Sequence, residues 1–258
     1  MYDLTHVNPA LKAQVAADWS HLFTRKPDSL LALDTNAKTI KGQAKGIKTA
    51  ILYLAPANLS GENLCPMALL AECVAPCLFT AGRGRMSNVM ASRLRKTLYW
   101  LQHRESFLSQ LRAEIAALYR KVSAEGFQLV VRLNGTSDIR WEAYGIPQAF
   151  PHIQFYDYTK LANRKNVPSN YDLTFSYSGA SAFAPQVARA VKAGNRIAVV
   201  FRSRAIVERM LANNETFLGL SVVDGDDSDV RHLDPQGAIV ALYAKGKAKK
   251  DTGPFVVG

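Results

Sequence analysis

The sequence predicts an α/β protein in which mainly parallel strands alternate with helices. A series of short apolar segments after residue 127 is separated by helical or loop stretches, and parallel neighbours need such long crossover connections. Between residues 88 and 124, apolar residues recur every three or four positions, the period of a helix face. We expect a partial or complete (β/α) barrel with an N-terminal β-rich extension. An open doubly wound sheet is the alternative.

The chain divides into four consecutive parts of what we expect to be one α/β domain. Residues 1–60 form the N-terminal extension, with strands, and residues 61–87 form a loop that holds every cysteine of the chain. Residues 88–245 contain the helices and β/α units, and residues 246–258 form a basic tail. A chain of 258 residues is long enough to bury the core of such a domain.

The elements inside these parts are predicted from apolar periodicity. A strand over 49–54 follows lysine- and glycine-rich turns, and helices are predicted over 88–103 and 105–124. The later strands are predicted over 129–133, 153–156, 173–175, 197–201, 218–223 and 239–243, with helices over 184–193 and 205–211.

The chain carries a formal net charge of +11, from 32 basic and 21 acidic residues. Such an excess favours a polyanionic partner, DNA or RNA. The basic residues that follow the cysteines are the predicted nucleic-acid contacts: Arg83, Arg85, Arg93 and Lys96. A solubilising surface that binds nothing is the alternative.

Compartment and redox state follow from what the sequence lacks. No stretch approaches the roughly 20 apolar residues that a membrane-spanning helix needs. The first residues have neither a basic nor an apolar leader segment. We therefore expect a cytoplasmic protein without membrane contact, in which thiols stay reduced and disulfides are rare.

The three cysteines of the chain fall within a short segment, at Cys65, Cys73 and Cys77. An odd number of thiols cannot all form disulfides within one chain. Three thiolates on one segment suit three irons of a 4Fe–4S cluster, and zinc with one further ligand is the alternative. The third interpretation is three small buried side chains, because free cysteine is often buried.

Polar residues collect where the predicted strands end. In parallel sheets, ligands bind at the carboxyl ends of the strands. The predicted catalytic residues are Asp138, Asp157, Lys160 and Asp224, and the predicted cofactor-binding residues are Asn134, Ser137, Ser176 and Arg202. Asp138 also suits a helix N-cap, and Asp224 also suits an acidic surface turn.

The cysteine segment resembles a family known from phages. The matching features are Cys65-Pro66, Cys73, Pro76-Cys77 and the downstream Asn88-Val89, and they resemble the gene-product-88-like proteins. The segment is also similar to the cluster-binding loop of radical S-adenosylmethionine enzymes. These resemblances imply a viral protein in a host-cell cytoplasm, a barrel-like fold, a 4Fe–4S cluster and S-adenosylmethionine as a further cofactor. Three functions stay open: an iron–sulfur enzyme or its diverged relative, a nucleic-acid-binding phage protein with a structural metal, and a structural zinc protein.

Overall fold

A computed structural model describes residues 2–34, 37–77, 79 and 82–258, with the backbone alone at 16–18, 37–38 and 85. Its helices are α1 (Pro9–Trp19), α2 (Ala37–Ile40), α3 (Ser87–Gln102), α4 (Arg104–Ala124), α5 (Ala184–Lys192) and α6 (Arg204–Ala212). Its strands are β1 (Leu31–Leu33), β2 (Ile47–Leu52), β3 (Gln128–Arg132), β4 (Gln154–Thr159), β5 (Tyr171–Ser176), β6 (Ile197–Phe201), β7 (Thr216–Phe217), β8 (Leu220–Asp224), β9 (Ile239–Tyr243) and β10 (Val256–Val257). No helix in this part of the chain combines the length and the apolar character needed to cross a bilayer.

The strands form one open sheet in the order β1-β2-β3-β4-β5-β6-β9-β8-β7, with β10 also paired to β6. Strands β1 and β7 pair antiparallel with β2 and β8, and the other pairs are parallel. The α/β class with mainly parallel strands is therefore confirmed. A complete barrel is not formed, because β1 and β7 end the sheet at opposite edges. Strands of three and two residues offer little backbone for further pairing.

Helices α3 to α6 pack on one face of this sheet. Apolar residues of α3 and α4, such as Leu98 and Leu111, lie in the same buried cluster as Phe155 of β4. Apolar residues of α5 and α6 pack against Phe175 of β5. Phe155 shares a face with Thr159, whose partner across the ladder is Phe175, so both clusters cover the same side. Burial of each large apolar side chain there contributes about 1.5–3 kcal/mol to folding.

The opposite side of the sheet carries buried ion pairs, here called the charged face. Its side chains come from β3, from β5, from Arg196 just before β6, and from the connection between β8 and β9 that covers these strands. Each arginine has a carboxylate partner: Arg132 Nη1 lies 2.9 Å from Asp229 Oδ2, Arg196 Nη1 lies 2.6 Å from Asp172 Oδ1, and Arg231 Nη1 lies 3.0 Å from Asp234 Oδ2. The charges of this face are therefore balanced within it.

The predicted basic tail returns to the sheet instead of ending in solvent. Strand β5 pairs with the first two residues of β6, and β10 pairs with Val200 and Phe201 beyond them. Arg202 holds this tail, because its Nε donates to the carbonyl of Gly258 at 2.9 Å and its Nη1 donates to the carbonyl of Asp251. Arg202 was predicted to bind a cofactor, and its guanidinium instead fixes the C-terminal chain.

Candidate metal centre

The loop after β3 lies unusually close to the end of β2, at Gly135. Its N–H donates to the carbonyl of Leu52 at 3.0 Å. A β-carbon at residue 135 would lie 2.7–2.8 Å from Ile51, Tyr53 and the Leu52 carbonyl oxygen. Contacts this short do not occur between real side chains and backbone, so only glycine fits. This close approach fixes the path of the residues that follow, up to Asp138.

Asp157 fills the gap where β3 and β4 stop pairing. Its carboxylate accepts hydrogen bonds from Leu133 N at 3.2 Å, from Asn134 N at 2.8 Å and from the Tyr171 hydroxyl at 2.7 Å. Burial raises the pKa of Asp157 to about 7, against the lowering effect of Arg132 and of these hydrogen bonds. Asp157, which was predicted to be catalytic, thus links the ends of β3 and β4 and is held by three hydrogen bonds.

Asn134 organises the loop from inside. Its Oδ1 accepts from the Ser137 hydroxyl at 2.9 Å, from Ile139 N at 2.9 Å and from Trp141 Nε1 at 3.0 Å. Its amide nitrogen donates to the Ile139 carbonyl at 2.9 Å. Both Asn134 and Ser137, which were predicted to bind a cofactor, therefore use their polar atoms to shape the loop that carries Asp138.

The cysteine segment lies across the carboxyl ends of β3 and β5. Asp138 N donates to the Leu64 carbonyl at 2.9 Å, next to Cys65. The Ser178 hydroxyl donates to the Ala71 carbonyl at 2.7 Å, two residues before Cys73. Two anchors on different strands hold the segment over this edge of the sheet. Polar residues at the ends of β3, β4 and β5 were predicted to meet the cysteine segment, and the segment lies at this edge of the sheet.

The three cysteines of this segment form no disulfide and are of intermediate exposure. Burial raises the pKa of Cys65 to about 12, and the charges of Cys77, Asp138 and Cys73 add to that rise. Burial also raises the pKa values of Cys73 and Cys77, and Cys73 acts on Cys77. The thiols therefore lie within electrostatic range of one another. Over the described residues, no three His, Cys, Asp or Glu side chains are already arranged to hold a metal ion.

Lys160 places a positive charge beside these thiols. Its Nζ donates to the carbonyl and the hydroxyl of Ser176, at 3.1 and 3.2 Å, and to the Tyr177 carbonyl at 3.3 Å. Burial lowers the pKa of Lys160, and the cysteines and Asp138 act in the opposite direction. The ammonium group is thus fixed by two strand ends at the place where negative charge would collect.

Asp138 completes the group with a carboxylate. Its Oδ2 accepts from Lys160 N at 2.8 Å. Its Oδ1 accepts no hydrogen bond, and Arg164 Nη1 lies 3.8 Å away, at ion-pair distance. Burial raises the pKa of Asp138, while the Lys160 N–H, a hydrogen bond with the Thr159 side chain and the charge of Arg164 oppose the rise.

Sequence reasoning missed Arg164, whose side chain is 2% exposed. It binds Glu142 through two nitrogens and faces the Tyr171 ring at 5.2 Å. A single arginine in the irregular connection between β4 and β5 follows no pattern, and charged residues there are usually solvated. Only its burial in the folded protein identifies Arg164 as part of this group.

Asp224 is the one predicted catalytic residue that lies away from this group. It ends β8, which β6 and β9 separate from β5. Its exposed carboxylate accepts from Asp226 N at 2.7 Å, within the turn itself. The position of Asp224 therefore matches its alternative interpretation as a residue of an acidic surface turn.

Among the predicted nucleic-acid contacts whose side chains the structure describes, Arg83, Arg93 and Lys96 do not share a surface. Arg93 is 8% exposed, and its Nη1 donates to the Phe79 carbonyl at 3.2 Å. Lys96 Nζ donates to the Leu30 carbonyl at 2.7 Å, and burial lowers its pKa to about 8. Both point inward because other chain segments cover that side of α3. Arg83 is exposed, and the side chain of Arg85 lies outside the described residues. Binding of DNA or RNA by the chain stays a prediction.

Comparison with protein-family models bears on the resemblance seen at the cysteines. The model that matches is described as Gene product 88 and covers residues 29–257, which include every strand from β1 to β10 and the three cysteines. Comparisons with curated proteins and with solved structures gave no match, so none of them supports the similarity to radical S-adenosylmethionine loops. The matched residues make up most of the chain, and this protein therefore belongs to the gene product 88 family, in agreement with the phage family that its cysteine segment resembles.

Proposed function

We propose that this phage protein is a metalloprotein that binds a 4Fe–4S cluster through Cys65, Cys73 and Cys77. One observation carries the proposal: three reduced thiols within electrostatic range of one another lie at the ligand-binding edge of a parallel sheet, beside a fixed ammonium group. Thiolates are the preferred ligands of iron–sulfur clusters and of zinc. Zinc is therefore the alternative metal.

The anchoring of the cysteine segment supports the same proposal. Hydrogen bonds to the Leu64 and Ala71 carbonyls tie the segment to the ends of β3 and β5. A metal site gains affinity when its ligands are held before binding, because less chain entropy is lost. The two anchors lie close in sequence to Cys65 and Cys73, so they restrict the positions of those thiols.

Lys160 supplies the charge that an anionic centre needs. Three thiolates add negative charge in a partly buried place, where charges interact more strongly than in water. The Lys160 ammonium lies within electrostatic range of all three and is held by the carbonyls of Ser176 and Tyr177. A bound cluster would supply one-electron transfer at this edge of the sheet. The residues around it would exclude water and offset its charge.

The test is anaerobic purification of the full chain, followed by iron, sulfide and zinc analysis and a visible spectrum. We expect iron and sulfide with the broad absorption of an iron–sulfur cluster. Each of Cys65→Ser, Cys73→Ser and Cys77→Ser should lose nearly all of the metal, since the site then keeps only two thiolates. Asp224→Asn is the control, because Asp224 is an exposed strand-end residue away from the cysteines.

Colourless protein with zinc and no sulfide would replace the cluster with the zinc alternative. Full metal retention in all three cysteine variants, or a wild-type chain that takes up neither iron nor zinc, would contradict the proposal.

A further inference from the structure

We propose that Asp138 is the fourth protein ligand of this centre, through its Oδ1 atom. The inference rests on the proposed function, since it assigns the position that three cysteines leave open. It makes the centre closed, with every iron held by the protein.

The orientation of the Asp138 carboxylate is the first argument. The residue is 8% exposed, and its Oδ2 is fixed by the Lys160 backbone N–H at 2.8 Å. The remaining oxygen, Oδ1, accepts no hydrogen bond although it is buried. A buried polar atom without a partner costs about 1–3 kcal/mol, so native proteins usually satisfy it. A metal ion is one partner that a carboxylate oxygen accepts.

The second argument is its place among the thiols. The backbone N–H of Asp138 donates to the carbonyl of Leu64, the residue before Cys65. The Asp138 charge acts on Cys65, on Cys73 and on Lys160, so these groups lie within electrostatic range of the carboxylate. The carboxylate therefore belongs to the same local group as the cysteines, although it comes from the loop after β3.

The two other buried acidic groups near this edge, Glu142 and Asp157, are already engaged. Glu142 is bound by Arg164 through two nitrogens, and Asp157 accepts three hydrogen bonds. Four of the five histidine rings pack against aromatic residues elsewhere: His21 on Trp19, His103 on Tyr2, His152 on Tyr119 and His232 on Tyr156. Asp138 is the carboxylate described here that combines burial, nearness to the thiols and an oxygen without a hydrogen bond, with Arg164 Nη1 at 3.8 Å as its ion-pair neighbour.

A carboxylate ligand has a chemical consequence for the centre. Oxygen is a harder ligand than sulfur, so it holds its metal less firmly than a fourth thiolate would. Arg164 at 3.8 Å would hold the carboxylate in place as an outer partner. A closed centre suits electron transfer, because no iron is open to a substrate or to S-adenosylmethionine.

The experiment compares wild type, Asp138→Ala, Asp138→Asn and Asp138→Cys, with Asp224→Asn as the control. Each full chain is loaded anaerobically with iron and sulfide, and iron content and electron paramagnetic resonance are recorded before and after mild oxidation with ferricyanide. Wild type and control should keep a four-iron cluster. Asp138→Ala and Asp138→Asn should lose one iron and give the signal of a three-iron cluster. Asp138→Cys should restore the four-iron cluster, because a thiolate replaces the carboxylate.

The outcomes separate the two proposals. A wild-type chain that binds neither cluster nor zinc overturns both. A wild-type cluster that loses its fourth iron as readily as Asp138→Ala overturns only the ligand assignment, and so does an Asp138→Asn variant that matches wild type. Should the alanine variant fold poorly, the asparagine variant keeps the shape of the side chain and the acceptor for Lys160 N, and it decides alone.

Discussion

Buried charged groups occur in two regions of this protein, and the two regions differ in how these groups are paired. On the charged face, three arginines lie within 3.0 Å of aspartate oxygens, so each charge is matched by a neighbour. At the cysteine edge, three thiols lack disulfide partners and the Oδ1 of Asp138 lacks a hydrogen bond. Both regions are buried, and both keep polar atoms without a hydrogen bond, such as Arg231 Nη1 and Asp234 Oδ2 on the charged face. What differs is that each arginine of the charged face has a carboxylate within 3.0 Å, whereas the nearest cation to Asp138 Oδ1 is Arg164 Nη1 at 3.8 Å.

This difference indicates which region is built to bind. A buried ion pair is costly to break and gives little net stability over apolar packing. The charged face therefore serves to define the packing between the sheet and the connection over it. A buried ligand-type atom without a hydrogen bond, such as Asp138 Oδ1, costs stability unless something binds it. The cysteine edge contains such an atom, which is expected of a ligand-binding site.

The largest effect should follow from breaking the charged face. Arg196→Met leaves the Asp172 carboxylate without the partner that lies 2.6 Å from it, and leaves the Asp234 carbonyl without its donor at 3.0 Å. We expect a loss of about 3–5 kcal/mol in the free energy of unfolding, because an uncompensated charge stays buried. Urea denaturation of the metal-free chain measures it.

The same variant tests whether the two regions are independent. Metal content per folded Arg196→Met chain should equal that of wild type, since Arg196 contacts no residue of the cysteine edge. A parallel loss of metal and stability would mean that the charged face shapes the cysteine edge, and the comparison would fail.

A smaller effect should follow from Gly135→Ala. The added β-carbon would lie 2.7–2.8 Å from Ile51, Tyr53 and the Leu52 carbonyl, so the loop must shift. Overpacking of this kind costs about 1–3 kcal/mol. Metal retention should fall as well, because the loop carries Asp138. Gly253→Ala is the matched control, because the nearest neighbour of its β-carbon is the Asp251 side chain at 3.3 Å. Equal metal retention in Gly135→Ala and wild type would contradict the expectation.

A further effect should be a change in pH dependence, rather than a loss at one pH, at Asp157, which connects the two regions through Arg132 at 3.8 Å and Asn134 N at 2.8 Å. Its pKa is about 7 in the folded protein against an ordinary value of 3.8. Between these values the folded state binds more protons, so stability falls as pH rises through about 7. Asp157→Asn should flatten this fall. Urea denaturation at several pH values between about 4 and 8 measures it, and parallel curves for variant and wild type would refute it.

Much of the local structure could be predicted from the sequence. Helices expected over 88–103 and 105–124 are found at Ser87–Gln102 and Arg104–Ala124, and the strand expected over 197–201 is found at Ile197–Phe201. Apolar periodicity fixes such elements because each must bury one face. The clustering of Cys65 and Cys77 with strand-end residues such as Lys160 could also be predicted, since parallel strands bring their carboxyl ends to one edge.

Three groups of predicted site residues owe their surroundings to contacts between distant parts of the chain. Asp224 lies apart because β6 and β9 stand between β8 and β5, and strand order depends on pairing far along the chain. The Arg202 side chain binds the C-terminal tail, which adds strand β10 to the sheet. Because β10 has only two residues, neither this strand nor its pairing with β6 could be predicted from local sequence. Arg93 and Lys96 lie inward because the carbonyls of Phe79 and Leu30 cover that side of α3.

The sequence by itself therefore determined the elements, the α/β class and the cysteine segment, because these depend on local spacing and residue type. The tertiary structure alone decided that the sheet stays open, that Asp138 carries an unpartnered oxygen beside Cys65, and that Arg164 is buried next to it. Hydrogen-bond partners of a buried atom come from whichever segments pack around it. Those segments are set by the balance of the whole fold, which no single stretch of sequence contains.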